Sequence, residues 1–86
     1  MSQWFVYVLQ CADGTYYTGV TTDVERRVRE HNGELAGKGA KYTSARRPVR
    51  LTHSEAALNR SSAQIREYVI RSLPRKAKAQ LVAKKV

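Results

Sequence analysis

Cysteine is almost missing from the chain: Cys11 stands alone among 86 residues. No intrachain disulfide can form, and a lone thiol suits a reducing cytoplasm, where it serves more often as a small core residue than as a nucleophile. No apolar run approaches the roughly 18 residues that a membrane-spanning helix needs. The segment Met1-Ser2-Gln3-Trp4 lacks the basic stretch and apolar run of a secretory leader, so none is expected. There is no internal repeat and no low-complexity tract. Acidic residues are scarce, seven against sixteen Lys and Arg, which gives a net charge of +9 and an isoelectric point near 10.2. Such a surface attracts polyanions, of which nucleic acid is the usual one, although ribosome-associated and membrane-surface proteins share the same balance. Neither a helix-turn-helix nor a zinc finger is legible, so sequence-specific base reading is not expected.

The length fits one small domain over residues 1–86, with its core at about 3–83 and 42% apolar residues to build it. Residues 3–10 (QWFVYVLQ) and 15–21 (TYYTGVT) are rich in aromatic and β-branched side chains and flank Asp13-Gly14. That pattern predicts an antiparallel hairpin. Thr22 followed by Glu25 reads as a capping box opening a helix over 23–32, with Val24 and Val28 as its apolar stripe and Gly33 as its stop. Residues 33–47 read as one long basic loop, a length that in so small a domain signals function or disorder. Residues 49–54 predict a third strand with Val49 and Leu51 on one face. Ser54 is expected to cap a long helix over 55–73, and Pro74 to open a last short helix ending near Val82. The expected fold is α+β, a three-stranded antiparallel sheet flanked by helices in the order β-β-α-β-α-α.

Tyr7 and Tyr17 lie ten residues apart on the two hairpin strands. Arg27 follows Tyr17 by ten, His31 is one helical turn further, and Glu67 falls in the long helix. Each has a bland alternative: packing tyrosines, a solvated basic helix face, a structural histidine, a surface pair of Glu67 with Arg71 four residues on. Together, the runs Phe5-Val6-Tyr7 and Tyr17-Thr18-Gly19, the helical Arg26-Arg27-Val28-Arg29-Glu30-His31-Asn32, the stretch Gly37 to Thr43, and Glu67 within Arg66-Glu67-Tyr68 resemble the GIY-YIG nuclease family in its short, stand-alone form. The likeness covers nearly the whole chain. It departs from the family pattern at Phe5, Val6 and Thr18, which are strand-packing positions. It also lacks the lysine that some members carry after the second motif, and the late Asn of homing-type members.

The resemblance implies a metal-dependent phosphodiester hydrolase acting on DNA, or else RNA, in repair or processing. Its catalytic set would be Tyr7, Tyr17, Arg27, His31 and Glu67, with Glu67 as the protein ligand of one Mg²⁺ or Mn²⁺ ion. Tyr17 would activate water, Tyr7 would orient it, Arg27 would hold the phosphate, and His31 would serve as relay or phosphate contact. Lys38, Lys41, Arg46 and Arg47 would hold the nucleic-acid backbone. The chain is expected to act as a monomer. The rival expectations are a binding protein of the same fold with little turnover and a small structural basic protein.

Overall fold

The computed structural model describes residues 3–35 and 39–83. Strand β1 (Trp4–Gln10) is the middle of a three-stranded sheet of order β2-β1-β3 and pairs antiparallel with both β2 (Tyr16–Thr21) and β3 (Arg50–Ala57). With helices packed over both of its faces, β1 needs apolar side chains on each, and Val6 to Leu9 are all buried. Val6 and Val8 pack on Ala63 and Ile70 of α3 (Arg60–Arg71). Tyr7 and Leu9 point the other way and pack with Cys11, Val49, Tyr17, and Val24 and Val28 of α1 (Val24–His31). The sheet is therefore covered on both sides. Cys11 is a core residue, as its isolation suggested.

The hairpin forms where expected. Gly14 has φ +86°, a left-handed conformation that favours glycine, and Asp13 takes the Thr15 amide and hydroxyl. Two helix starts differ from expectation. The cap of α1 is Asp23, not Thr22, and its carboxylate accepts the Arg26 amide. Ser54 caps nothing: β3 continues to Ala57, and Asn59 caps α3 by accepting the Ser62 amide. Glu55 and the two alanines after it favour helix intrinsically, but pairing with Val6, Phe5 and Trp4 of β1 outweighs that preference. The 33–47 loop also holds a one-turn helix, α2 (Lys41–Ser44). The last helix, α4 (Arg75–Ala83), opens after Pro74 as expected.

Register on β3 shifts between Val8, opposite His53, and Leu9, opposite Leu51. Thr52 is the extra residue, and its hydroxyl donates to the Val8 carbonyl. A one-residue shift reverses the faces. Val49 and Leu51 stay on the α1 side, Val49 buried and Leu51 at the rim, 42% exposed. His53 and Glu55 turn to the α3 side, where Glu55 binds both His53 and Arg66.

Helix α1 ends at Gly33 (φ +76°), with the Gly33 amide on the Glu30 carbonyl and the Glu34 amide on that of Arg29. Asn32 then grips the entry to β3, its side chain accepting the Val49 amide at 2.7 Å and donating to the Val49 carbonyl at 2.9 Å. The revised start of α3 is directly testable. Asn59→Ala should lower stability by about 1 kcal/mol, a melting shift of about 4–8 °C. Ser54→Ala should leave it within about 0.5 kcal/mol. The opposite ranking in thermal denaturation would restore the longer helix.

Candidate active site

Tyr7 leaves β1 on the α1 side, and its direct partner on β2 is Gly19. A Cβ at Gly19 would lie 2.5 Å from the Tyr7 hydroxyl oxygen, so the ring lies across the strand only because residue 19 has no side chain. The Tyr7 hydroxyl reaches His31 Nε2 at 2.9 Å. Tyr17 shares that sheet face but pairs with Leu9, diagonal to Tyr7. Its ring meets His31 edge-on at 5.0 Å and stacks on Tyr42 of α2 at 6.1 Å.

His31 itself is wholly buried behind the two tyrosines. Its Nδ1 lies 2.7 Å from the Thr43 hydroxyl, which donates to the Ala40 carbonyl at 3.0 Å. Gly39 brings this segment down onto α1: a Cβ there would lie 2.9 Å from the Glu30 carbonyl oxygen. His31 has no exposed surface of its own, and its contact toward the cleft is the Tyr7 hydroxyl.

Arg27 approaches the tyrosines from α1. One terminal nitrogen donates to Glu30 at 3.0 Å, and Glu30 is also paired with Arg26 at 3.2 Å. Arg27 bears on the Tyr7 hydroxyl as well. Glu67 comes from α3, on the opposite side of the sheet, and pairs with Arg71 one turn on, 3.3 Å away. The two sides meet at the free edge of β2. There Tyr7, Tyr17, Arg27, Glu67, Arg71 and Lys78 line one cleft of about 540 Å³. Four of the five expected catalytic residues thus share a cavity, and the fifth supports one of them from behind.

Burial pushes the Tyr7 phenol up to about 12, with the Arg27 charge pulling the other way. Burial, with Arg27 second, takes the His31 imidazole down to about 4. Near neutral pH both are uncharged. Among the described residues no three His, Cys, Asp or Glu side chains cluster as a metal cage. Glu67 alone fits a hard cation that keeps most of its water and takes its remaining oxygens from a substrate phosphate. It does not fit zinc, which wants three or four protein ligands.

The expected backbone-binding residues divide. Lys41 is exposed. Arg46 lies over the Tyr42 ring at 3.8 Å and is tied to Asp13 and the Tyr42 carbonyl. Arg47 donates to the His31 carbonyl at 2.6 Å and so finishes α1. Lys38 lies outside the described residues. Sequence reasoning missed Thr43 as a partner of His31, and missed Arg71 and Lys78 as cleft cations. The first carries no spacing signal, since its contact depends on how the loop folds back. Arg71 was named as a surface partner for Glu67, and Lys78 was not singled out.

Fold and cleft together define a small α+β domain in which polar side chains from both layers converge on the edge strand of a three-stranded sheet. The chain belongs to the GIY-YIG catalytic domain family, which it matches over residues 3–80, and that family is generally one of nucleases. It is 53% identical to a UPF0213 protein of Desulfotalea psychrophila over 92% of this chain and 70% of that one. It is 58% identical to a UPF0213 protein of Halobacterium salinarum over 88% and 95%. The solution NMR structure of a UPF0213 protein from Bacillus halodurans superposes with a TM-score of 0.59 at 44% identity, covering 96% of this chain and 85% of that one.

The burial of a neutral His31 predicts a pH dependence. The unfolded chain takes a proton on His31 near pH 6.5, and the folded one only near 4. Between those values the unfolded state binds more protons, so stability falls as pH falls, by at most about 1.4 kcal/mol per pH unit from this group. Denaturant unfolding from pH 7 to 4 should therefore show a steeper loss for the wild type than for His31→Gln. Parallel curves would show that His31 titrates alike in both states.

Proposed function

We propose that the chain is a metal-assisted endonuclease that hydrolyses phosphodiester bonds in DNA, structure-selective or weakly selective, serving repair or processing. The observation that carries this reading is the convergence of Tyr7, Tyr17, Arg27 and Glu67 on one basic cleft. Hydrolysis of a phosphodiester needs charge relief on the phosphate, an activated water and a stabilised leaving oxygen. Arg27 offers a planar fork to two phosphate oxygens, where charge develops. Glu67 would hold the hydrated Mg²⁺ or Mn²⁺ ion. Such an ion, when bound, neutralises phosphate charge and makes water more acidic.

Tyr7 keeps its proton and is bonded to His31, so it suits orienting the water rather than deprotonating it. Tyr17, the other tyrosine of the expected set in the cleft, is assigned to water activation. Arg71 and Lys78 in the cleft and the exposed Lys41 are assigned to hold phosphates. Phosphate contacts of this kind fix position and carry no base information. A second reading, a binding protein with little turnover, draws support from the Glu67–Arg71 ion pair, since a metal ion must compete with Arg71 for the carboxylate.

Single-turnover cleavage of flap, nicked, branched and single-stranded substrates at saturating Mg²⁺ separates the readings. Arg27→Ala should slow cleavage by about 10²–10³-fold, the usual loss for a donor aimed at developing charge. Glu67→Ala should abolish cleavage while DNA binding and folding persist, because its pair with Arg71 contributes only about 0.2–0.5 kcal/mol. Equal rates for the wild type and both variants would remove the nuclease assignment. Binding itself should weaken with salt, log K falling by about 0.9 per phosphate contact for each unit of log salt. Lys41→Ala combined with Lys78→Ala should flatten that slope for every sequence tested. A loss confined to one sequence would reveal base reading instead.

A further inference from the structure

We propose that Thr43 is a positioning residue of the cleft, which fixes His31 in the tautomer protonated on Nδ1 and thereby makes Tyr7 a hydrogen-bond acceptor toward the substrate side. This rests on the nuclease reading for its catalytic consequence, though not for the tautomer itself.

The polarity of the chain of bonds follows from its inner end. The Ala40 carbonyl can only accept, so the Thr43 hydroxyl, 3.0 Å away, gives it its single proton. Thr43 must then accept from His31, so Nδ1, 2.7 Å away, carries the hydrogen. A neutral imidazole has one N–H, which leaves Nε2 bare, and the Tyr7 hydroxyl at 2.9 Å donates to it. The imidazole is neutral because burial and Arg27 disfavour its charged form. One contact pulls the other way: the Ala40 amide lies 3.4 Å from Nδ1 and would favour a bare nitrogen there. It is the longest of the four contacts. Honouring it would leave the Thr43 and Ala40 oxygens 3.0 Å apart with no hydrogen between them. Thr43 and His31 are both wholly buried, so water cannot compensate there for a wrong orientation.

The consequence lies at the mouth of the cleft. With its proton committed to His31, and with Arg27 also bearing on its oxygen, Tyr7 can meet a water only as an acceptor, which leaves that water's lone pairs free to attack phosphorus. In the other tautomer Nε2–H would donate to Tyr7. The phenol hydrogen would then turn outward and engage one of that water's two lone pairs, making it a poorer nucleophile. The Thr43 hydroxyl, deep behind the histidine, therefore sets which way the front hydroxyl points.

The test uses the full chain with ¹⁵N-labelled histidine, reading His31 by long-range proton–nitrogen correlation at pH 7. The wild type should show a protonated Nδ1 and a bare Nε2. Thr43→Val keeps the shape and removes the hydroxyl, and should move His31 toward the Nε2–H form. It should also slow single-turnover cleavage by about 10- to 100-fold, the usual cost of losing such an outer partner. Thr43→Ser should restore both the spectrum and the rate. The proposal fails if wild-type His31 carries its proton on Nε2, or if Thr43→Val leaves spectrum and rate unchanged. The wild-type spectrum decides the tautomer even if Thr43→Val does not fold. A wild type that does not cleave overturns the nuclease reading and the catalytic consequence, while the spectrum still decides the tautomer.

Discussion

The hydrogen bond between Tyr7 and His31 ties the central strand to the last turn of α1, and the rest of the cleft is arranged around it. It needs three things of the sequence at once. Gly19 must lack a side chain so that the Tyr7 ring can cross β2. Gly39 must let the 39–43 segment descend onto the end of α1, so that Thr43 closes over His31. Asn32 and Arg47 must hold the end of that helix, one by gripping Val49 and the other by bonding the His31 carbonyl. A buried polar pair is costly unless every partner is supplied. Here the supply is complete: among the described residues no buried side-chain polar atom lacks a partner.

The large positive charge is less freely available than its total suggests. Arg26 and Arg27 share Glu30, Arg29 pairs with Glu34, Arg46 with Asp13, Arg66 with Glu55 and Arg71 with Glu67. Except for Arg27–Glu30, each pair has at least one well-exposed partner, and such pairs contribute little to stability. They keep the guanidinium groups positioned without neutralising the field as a whole, which is what drives polyanion binding.

The hairpin was legible because Asp13-Gly14 and the alternating aromatic and β-branched residues act locally. The end of α1 was legible because Gly33 is where a left-handed residue is needed. The start of α3 was not. Residues 54–57 look helical in isolation, and only pairing with Trp4 to Tyr7 makes them strand. The bulge at Thr52 was equally hidden, although it decides that His53 and Glu55 face α3. Of the site, Tyr7, Tyr17, Arg27 and Glu67 were read from motif spacing, and they do meet. What spacing could not convey is depth. It left His31 open as a relay or a phosphate contact, and the fold puts it wholly behind Tyr7, with Thr43 behind it in turn.

The location of the cleft at the edge of β2 resolves a conflict of charges. On the proposed reading, a phosphate-binding guanidinium and a metal-binding carboxylate must serve one cleft, and placed side by side they would pair with each other. Here they arrive from opposite layers of the sheet, Arg27 from α1 and Glu67 from α3, and line one cleft across the strand edge. Each is satisfied by a neighbour on its own helix, Arg27 by Glu30 at i+3 and Glu67 by Arg71 at i+4. Such local helix pairs are worth only about 0.2–0.5 kcal/mol. On the proposed reading, a phosphate dressed with a divalent ion brings charge of both signs and would satisfy Arg27 and Glu67 together at that modest cost. An edge strand with helices on both faces is thus well suited to hold an arginine and a carboxylate apart until a ligand bridges them.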